Sequence, residues 1–223
     1  MKRIIAGILV LCLVSVFSMS SCKKDAPNIN EAPGVQIPED YDEVSFQNYF
    51  DDTLSEMSAL ENAENSSFVR VVSSADALMS TLSGGKDEFI KLSGCAGESI
   101  IVPSADYKDV TLIVDIPEAE LALRASFKAV SVYSVGENGI DFSGSSDNFA
   151  VFGENVTANI SGTVNNVFIE GKNCVLTVSG KCGNIVNVNT TTEIINNTEN
   201  DITVFSSTGA KIVIPAGSTL SSN

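Results

Sequence analysis

Residues 149–166 and 167–184 of this chain repeat one another at an offset of eighteen. Five positions are identical: Gly153/Gly171, Asn155/Asn173, Ser161/Ser179, Gly162/Gly180 and Asn166/Asn184. Six more are matched apolar pairs: Phe149/Val167, Val151/Ile169, Val156/Cys174, Ala158/Leu176, Ile160/Val178 and Val164/Cys182. The pattern continues in both directions. Phe142-Ser143-Gly144 precedes Ile160-Ser161-Gly162 by eighteen, and Gly136-Glu137-Asn138 precedes Gly153-Glu154-Asn155 by seventeen. Downstream, Ile194 follows Leu176 by eighteen and Ile202 follows Ile185 by seventeen. Earlier turns, around Val110 and Val130, are spaced by twenty. Within each repeat the apolar residues alternate, as at Ile140/Phe142 and Leu176/Val178, and Gly and Asn punctuate them. That is strand chemistry rather than helix chemistry. A period of seventeen to twenty is too short for the four strands of a propeller blade but suits one coil of a β-solenoid. Equivalent residues then stack on coils about 4.8 Å apart, which is why like recurs above like.

The expected fold is therefore mainly β: a right-handed parallel β-helix with repeats of 17–20 residues. Left-handed hexapeptide solenoids also have eighteen-residue coils, but they need an aliphatic residue every six positions. Counting six and twelve from Val167 lands on Asn173 and Ser179, which favours the right-handed form. Counting from Val110 gives about six coils, a stack of roughly 29 Å at that spacing. Residues 211–215 and Leu220 are expected to form a last, irregular coil that closes the core.

Ahead of the coils, Phe46, Phe50, Met57 and Leu60 fall near helical spacing, with Tyr49 and Leu54 beside them. This predicts an amphipathic helix over 44–62 whose apolar stripe faces the domain. Residues 68–72 form a short β-rich run. Ser73-Ser74 then offers an N-cap to a two-turn helix over 75–82, ended by Gly84-Gly85. Strand-like pieces follow at 89–92, 100–102 and 110–114. This order of strand, glycine-closed helix and apolar strands resembles the start of a pectate-lyase-like β-helix. The resemblance implies that a small helix covers the open N-terminal end of the core. The domain is expected over 44–223, with a helical cap at 44–84 and coils at 85–223.

The first residues read as an export signal. Lys2 and Arg3 precede an apolar run over 4–17, too short to span a hydrocarbon core that needs about twenty helical residues. The run ends at Met19-Ser20-Ser21-Cys22, which resembles a bacterial lipobox with Met19 in place of the usual Leu. The resemblance implies a signal peptide over 1–21, cleavage before Cys22 and acylation of that cysteine. A single acyl chain anchors only marginally, whereas the several chains of a lipoprotein cysteine hold it effectively permanently. The context Ser21-Cys22-Lys23-Lys24-Asp25 is similar to lipoproteins of the Bacteroidetes, which places the expected location in the cell envelope, lipid-anchored at the outer membrane, on its periplasmic or outer surface. Pro27, Pro33 and Pro38 stand among acids and polar residues over 22–43, a flexible acidic tether.

Charge and composition narrow the chemistry. Removing residues 1–21 leaves eleven basic and 28 acidic residues, a net charge of −17. Such a surface repels phosphate backbones, so nucleic acid is not an expected partner. The chain has no His, which removes Ser-His-Asp and Cys-His schemes and imidazole zinc sites. No cofactor, metal site or catalytic residue is expected. Cys95, Cys174 and Cys182 are an odd number in the domain, and Cys174 and Cys182 occupy columns held by Val156 and Val164 one coil earlier, as core thiols would.

The columns Asn138/Asn155/Asn173 and Asn148/Asn166/Asn184 and the Ser-Gly pairs at 143–144, 161–162 and 179–180 read as turn residues. Acids that deserve inspection are Asp51/Asp52, Asp87/Glu88, Glu118/Glu120, Asp141, Asp147 and Glu154, while Arg70 and Arg124 are the arginines of the mature chain. Asp52-Thr53-Leu54 resembles the acceptor sequence for O-glycans in exported Bacteroidetes proteins, which implies a glycan on Thr53. The expected function is a non-catalytic, adhesin-like module that binds a glycan or an envelope or host protein. The alternatives are a polysaccharide-active lyase or hydrolase of the β-helix type and a structural subunit of an envelope assembly.

Overall fold

The computed structural model describes residues 68–189, 191–206 and 210–221. These all lie in one compact unit of the chain, Ala32–Asn223. The expected signal peptide, Cys22, the tether, Asp51/Asp52, Thr53 and the helix over 44–62 lie outside the described residues.

The described chain winds as a β-solenoid of about seven turns built from two sheets. One sheet contains β1 (Arg70–Val72), β2 (Phe89–Ser93), β4 (Asp106–Ile116), β6 (Ser126–Val135), β8 (Ser145–Val151), β10 (Thr163–Ile169), β12 (Lys181–Asn187), β14 (Ile202–Ser206) and β15 (Lys211–Ile214), in that order. The facing sheet contains β3 (Ser99–Val102), β5 (Glu120–Leu123), β7 (Ile140–Phe142), β9 (Thr157–Ile160), β11 (Val175–Val178), β13 (Glu193–Asn196) and β16 (Thr219–Leu220). Each coil contributes one strand to each sheet, and neighbouring strands pair in parallel from β1 to β14 and from β3 to β13. The count exceeds the six coils expected from Val110 because β1, β2 and β3 already belong to the same two sheets.

Register follows the sequence repeat. Val167 pairs with Phe149 and Ile185, Ile169 with Val151, Leu176 with Ala158 and Ile194, and Val178 with Ile160. These inward columns, with Phe142, Ile140 and Val164, form one continuous buried core. Val164 and Val167 both face it although three residues apart, and the ladder skips Asp147, Asn165 and Gly183 between them. The long strands therefore turn a corner at this point. At the corner Asn148, Asn166 and Asn184 stack half-buried, Asn166 donating its side-chain amide to the Asn148 oxygen at 3.0 Å and Asn184 to the Asn166 oxygen at 3.1 Å.

The opposite corner is as tight as a chain allows. A Cβ on Gly162 would lie 2.0 Å from the Gly144 carbonyl oxygen, and one on Gly180 would lie 2.1 Å from that of Gly162. These glycines have no left-handed φ. Close backbone approach between coils, rather than turn conformation, requires them.

Both ends of the core are covered. Helix α1 (Ala75–Gly84) is capped by Ser74, whose hydroxyl accepts from Ala77 N at 3.2 Å, and ends on Gly85 at φ 60°. It lies against β3 and sends Leu78 and Leu82 into the core, each worth about 1.5–3 kcal/mol of burial. At the other end β15 runs antiparallel to β14, and β16 antiparallel to β13. Buried Asn196 pins this closure by donating to Asn200 O at 2.8 Å and Ile214 O at 2.9 Å. Ile202 does not stack on Ile185 as the repeat suggests; Val204 does. The corner from β13 to β14 spans 197–201, longer than the two-residue corners at 161–162 and 179–180, and displaces the register.

Candidate functional site

At the C-terminal ends of β6, β8 and β10 the chain leaves the long sheet through the turns 136–139, 152–156 and 170–174. Tyr133 and Phe152 stand side by side there, because Val132 and Val151 are register partners and each aromatic follows one of them. Their rings stack with centroids 5.3 Å apart at 30°. A Cβ on Gly153 would lie 1.6 Å from Tyr133 O, and one on Gly171 1.8 Å from Gly153 O. The turns are thus packed directly on one another, which fixes the residues they carry.

Asn155 and Asn173 hold the left-handed positions of these turns, at φ 59° and 53°. Asn173 donates its side-chain amide to Asn155 at 3.5 Å, and the Asn155 backbone N–H donates to Lys172 O at 2.8 Å. Asn138 does not continue this column. Its turn is shorter, the left-handed residue is Gly139 at φ 80°, and Asn138 donates to Glu120 instead. The preceding residues of the two longer turns, Glu154 and Lys172, pair at 3.8 Å.

Tyr133, Phe152, Glu154, Glu170, Gly171 and Lys172 line an open depression of about 280 Å³. It offers a stacked aromatic surface beside two carboxylates and one ammonium. Such a surface suits a polyhydroxylated ring: C–H faces pack on the aromatics, hydroxyls donate to the carboxylates, and Lys172 donates to ring or hydroxyl oxygens.

The acids singled out in the sequence are spread along the turn columns rather than gathered. Asp141 accepts from Asn159 at 2.9 Å and Asp147 from Asn165 at 3.0 Å, each partner lying eighteen residues on. Glu120 accepts from Asn138, Glu154 pairs with Lys172, and Glu118 and Glu88 are exposed, with Asp87 half-buried. Arg70 and Arg124 are exposed. Among the described residues no three His, Cys, Asp or Glu side chains gather in a way that could hold a metal. Asp115 is held below its ordinary range: burial pushes it up, but a 2.7 Å bond from Ser134 and the ammonium of Lys91 at 3.1 Å outweigh that.

The three described cysteines are free thiols. Cys182 pairs with Val164 in register, and burial pushes its pKa up to about 12. Burial also raises the Cys174 thiol, which donates to Gly153 O at 3.3 Å, and the Cys95 thiol, with Glu98 adding to the effect at Cys95. Protonated and packed, they are poor nucleophiles.

Sequence reasoning did not single out Tyr133, Phe152, Glu170 or Lys172. The available signal was an aromatic placed directly after matched valines, at Val132-Tyr133 and Val151-Phe152. Among the described residues no helix is long and apolar enough to cross a membrane. The chain matches no protein-family model, no curated protein and no solved structure.

Proposed function

We propose that this chain is a cell-envelope lipoprotein, acylated at Cys22 and held at the outer membrane on an acidic tether, whose β-helix is a non-catalytic, adhesin-like carbohydrate-binding module. The observation that carries the reading is the Tyr133–Phe152 stack at 5.3 Å bordering Glu154, Glu170 and Lys172. Aromatic area with a few fixed polar groups is the usual make-up of a small-ligand site. A stiff stack of coils on a tether also presents such a site away from the membrane surface.

The test is a glycan array probed with residues 23–223, with and without calcium, alongside the double variant Tyr133→Ala/Phe152→Ala. Specific binding by the parent chain and its loss in the variant, with the far-ultraviolet spectrum unchanged, is the expected result. Binding that survives removal of both rings, or none to any glycan, rejects the site. The anchor is tested separately in the native cell, where an alkyne-tagged fatty acid labels the parent and leaves Cys22→Ala unlabelled.

A further inference from the structure

The long sheet has a second apolar column, on the face turned away from the core. Its register runs Val71, Lys91, Ile113, Ser131, Ala150, Phe168, Val186, Phe205. Ala150, Phe168 and Val186 form an apolar cluster of their own with Ala129, joined by Phe152, Val188 and Phe205 and separate from the main core. From Ile113 through Val186 every member of the column is at most 1% exposed, whereas Val71 at its start is 61% exposed. The hydroxyl of Ser131 is buried without a hydrogen-bond partner. An outward face this dry has something laid over it. Among the described elements the long-sheet strands make their substantial contacts only with their neighbours in the sheet, and α1 contacts β3.

We propose that residues 44–62 of the same chain dock as an amphipathic helix on this column. At 100° per residue Phe46, Phe50, Thr53, Met57 and Leu60 fall on one stripe, with Asn48, Asp51, Asp52 and Ser55 opposite. Lengths agree. The covered strands β4, β6, β8, β10 and β12 span four spacings, about 19 Å, and nineteen helical residues span about 28 Å. Connection agrees as well. Residues 63–67 reach about 20 Å when extended, and the chain enters the solenoid at β1, the edge of this same sheet, where the column is still exposed. A parallel sheet with apolar residues on both faces needs a helix on the second face, as in other parallel-sheet folds. The inference does not rest on the glycan reading, although Phe152, which packs at the edge of this cluster, also lines the candidate glycan site. It is incompatible with a glycan on Thr53, which by helical spacing in the sequence falls in the middle of that stripe.

The test replaces Phe50 with a photo-crosslinking phenylalanine in the mature chain, residues 23–223. Irradiation is expected to join position 50 to peptides carrying Ala150, Phe168 or Val186 within one molecule. Cross-links between two copies assign the face to a second chain and overturn the proposal, as does the absence of any link to those peptides. A second measurement uses amide exchange. Residues 44–62 should exchange at least about tenfold more slowly than in the free peptide, and Phe50→Asp/Met57→Asp should abolish the difference while the coils stay protected. Free-peptide rates in the parent chain, or a hexose-containing mass on Thr53 in protein from the native cell, also overturn it.

Discussion

The side-chain amide of Asn166 lies 3.0 Å from the side-chain oxygen of Asn148, eighteen residues earlier, and its own oxygen accepts from Asn184 at 3.1 Å. Asn166 is therefore the middle rung, and Asn184 joins it from one side. Asn166→Ala breaks two half-buried bonds and strands an acceptor on Asn148 and a donor on Asn184. The expected cost is about 2–4 kcal/mol, against about 1–2 kcal/mol for Asn184→Ala. Urea unfolding of the two variants measures this directly, and equal costs would mean that the ladder holds no energy of its own.

Gly162→Ala places a Cβ 2.0 Å from a backbone oxygen of the preceding coil, and backbone cannot step aside cheaply. A loss of about 3 kcal/mol is expected. Gly84 sits at the end of α1 with nothing within 4 Å of an added Cβ and no left-handed φ. Gly84→Ala should leave stability unchanged or raise it by up to about 1 kcal/mol. The same measurement, run on both, separates close approach from a general intolerance of glycine replacement.

The raised Cys182 thiol gives stability a slope in alkali. Its pKa is about 12 when folded and near the ordinary thiol value when unfolded, so between those values the folded chain binds the extra proton. Its contribution is complete below about pH 8.5 and is lost as pH climbs toward 12. Cys182→Val, which copies Val164 of the same column, should unfold with a weaker dependence on pH from 9 to 11. At pH 8 the native chain should resist iodoacetamide at Cys95, Cys174 and Cys182, and the urea-unfolded chain should take it up at all three.

Ser131 carries a buried hydroxyl with no partner. Removing an unpaired buried polar atom relieves its desolvation, so Ser131→Ala should stabilise the fold by about 1 kcal/mol. A destabilised variant in thermal unfolding would show that the hydroxyl is satisfied in solution.

Much of this was legible in eighteen-residue steps. Matching Phe149 to Val167 and Ala158 to Leu176 reproduces the ladder, because stacked coils force chemically similar residues into one column. What escaped was local insertion. Residues 197–201 lengthen one corner and carry Val204, rather than Ile202, over Ile185, and a shortened turn removes Asn138 from the column of Asn155. The outward column escaped for another reason. Alternation reads Phe149/Val151 and Val167/Ile169 as one face, and Ala150 and Phe168 between them carry no weight in it. Three consecutive apolar residues at a fixed offset are the mark of a strand dry on both faces, and period two alone does not register it. The aromatic pair was invisible for a related reason: Tyr133 and Phe152 become neighbours only when register brings Val132 to Val151.

The antiparallel closure by β15 and β16 bears on how such a chain can grow. A parallel ladder left open presents a template that another molecule can extend, and reversed strands remove that invitation. With α1 sealing the first coil and the reversed pair sealing the last, the repeats between β8 and β12 are interior units whose two neighbours look alike. One more eighteen-residue segment could be spliced in between them by gene duplication without disturbing either terminus. The length of the stack is thus a heritable dial, set by copy number rather than by redesign.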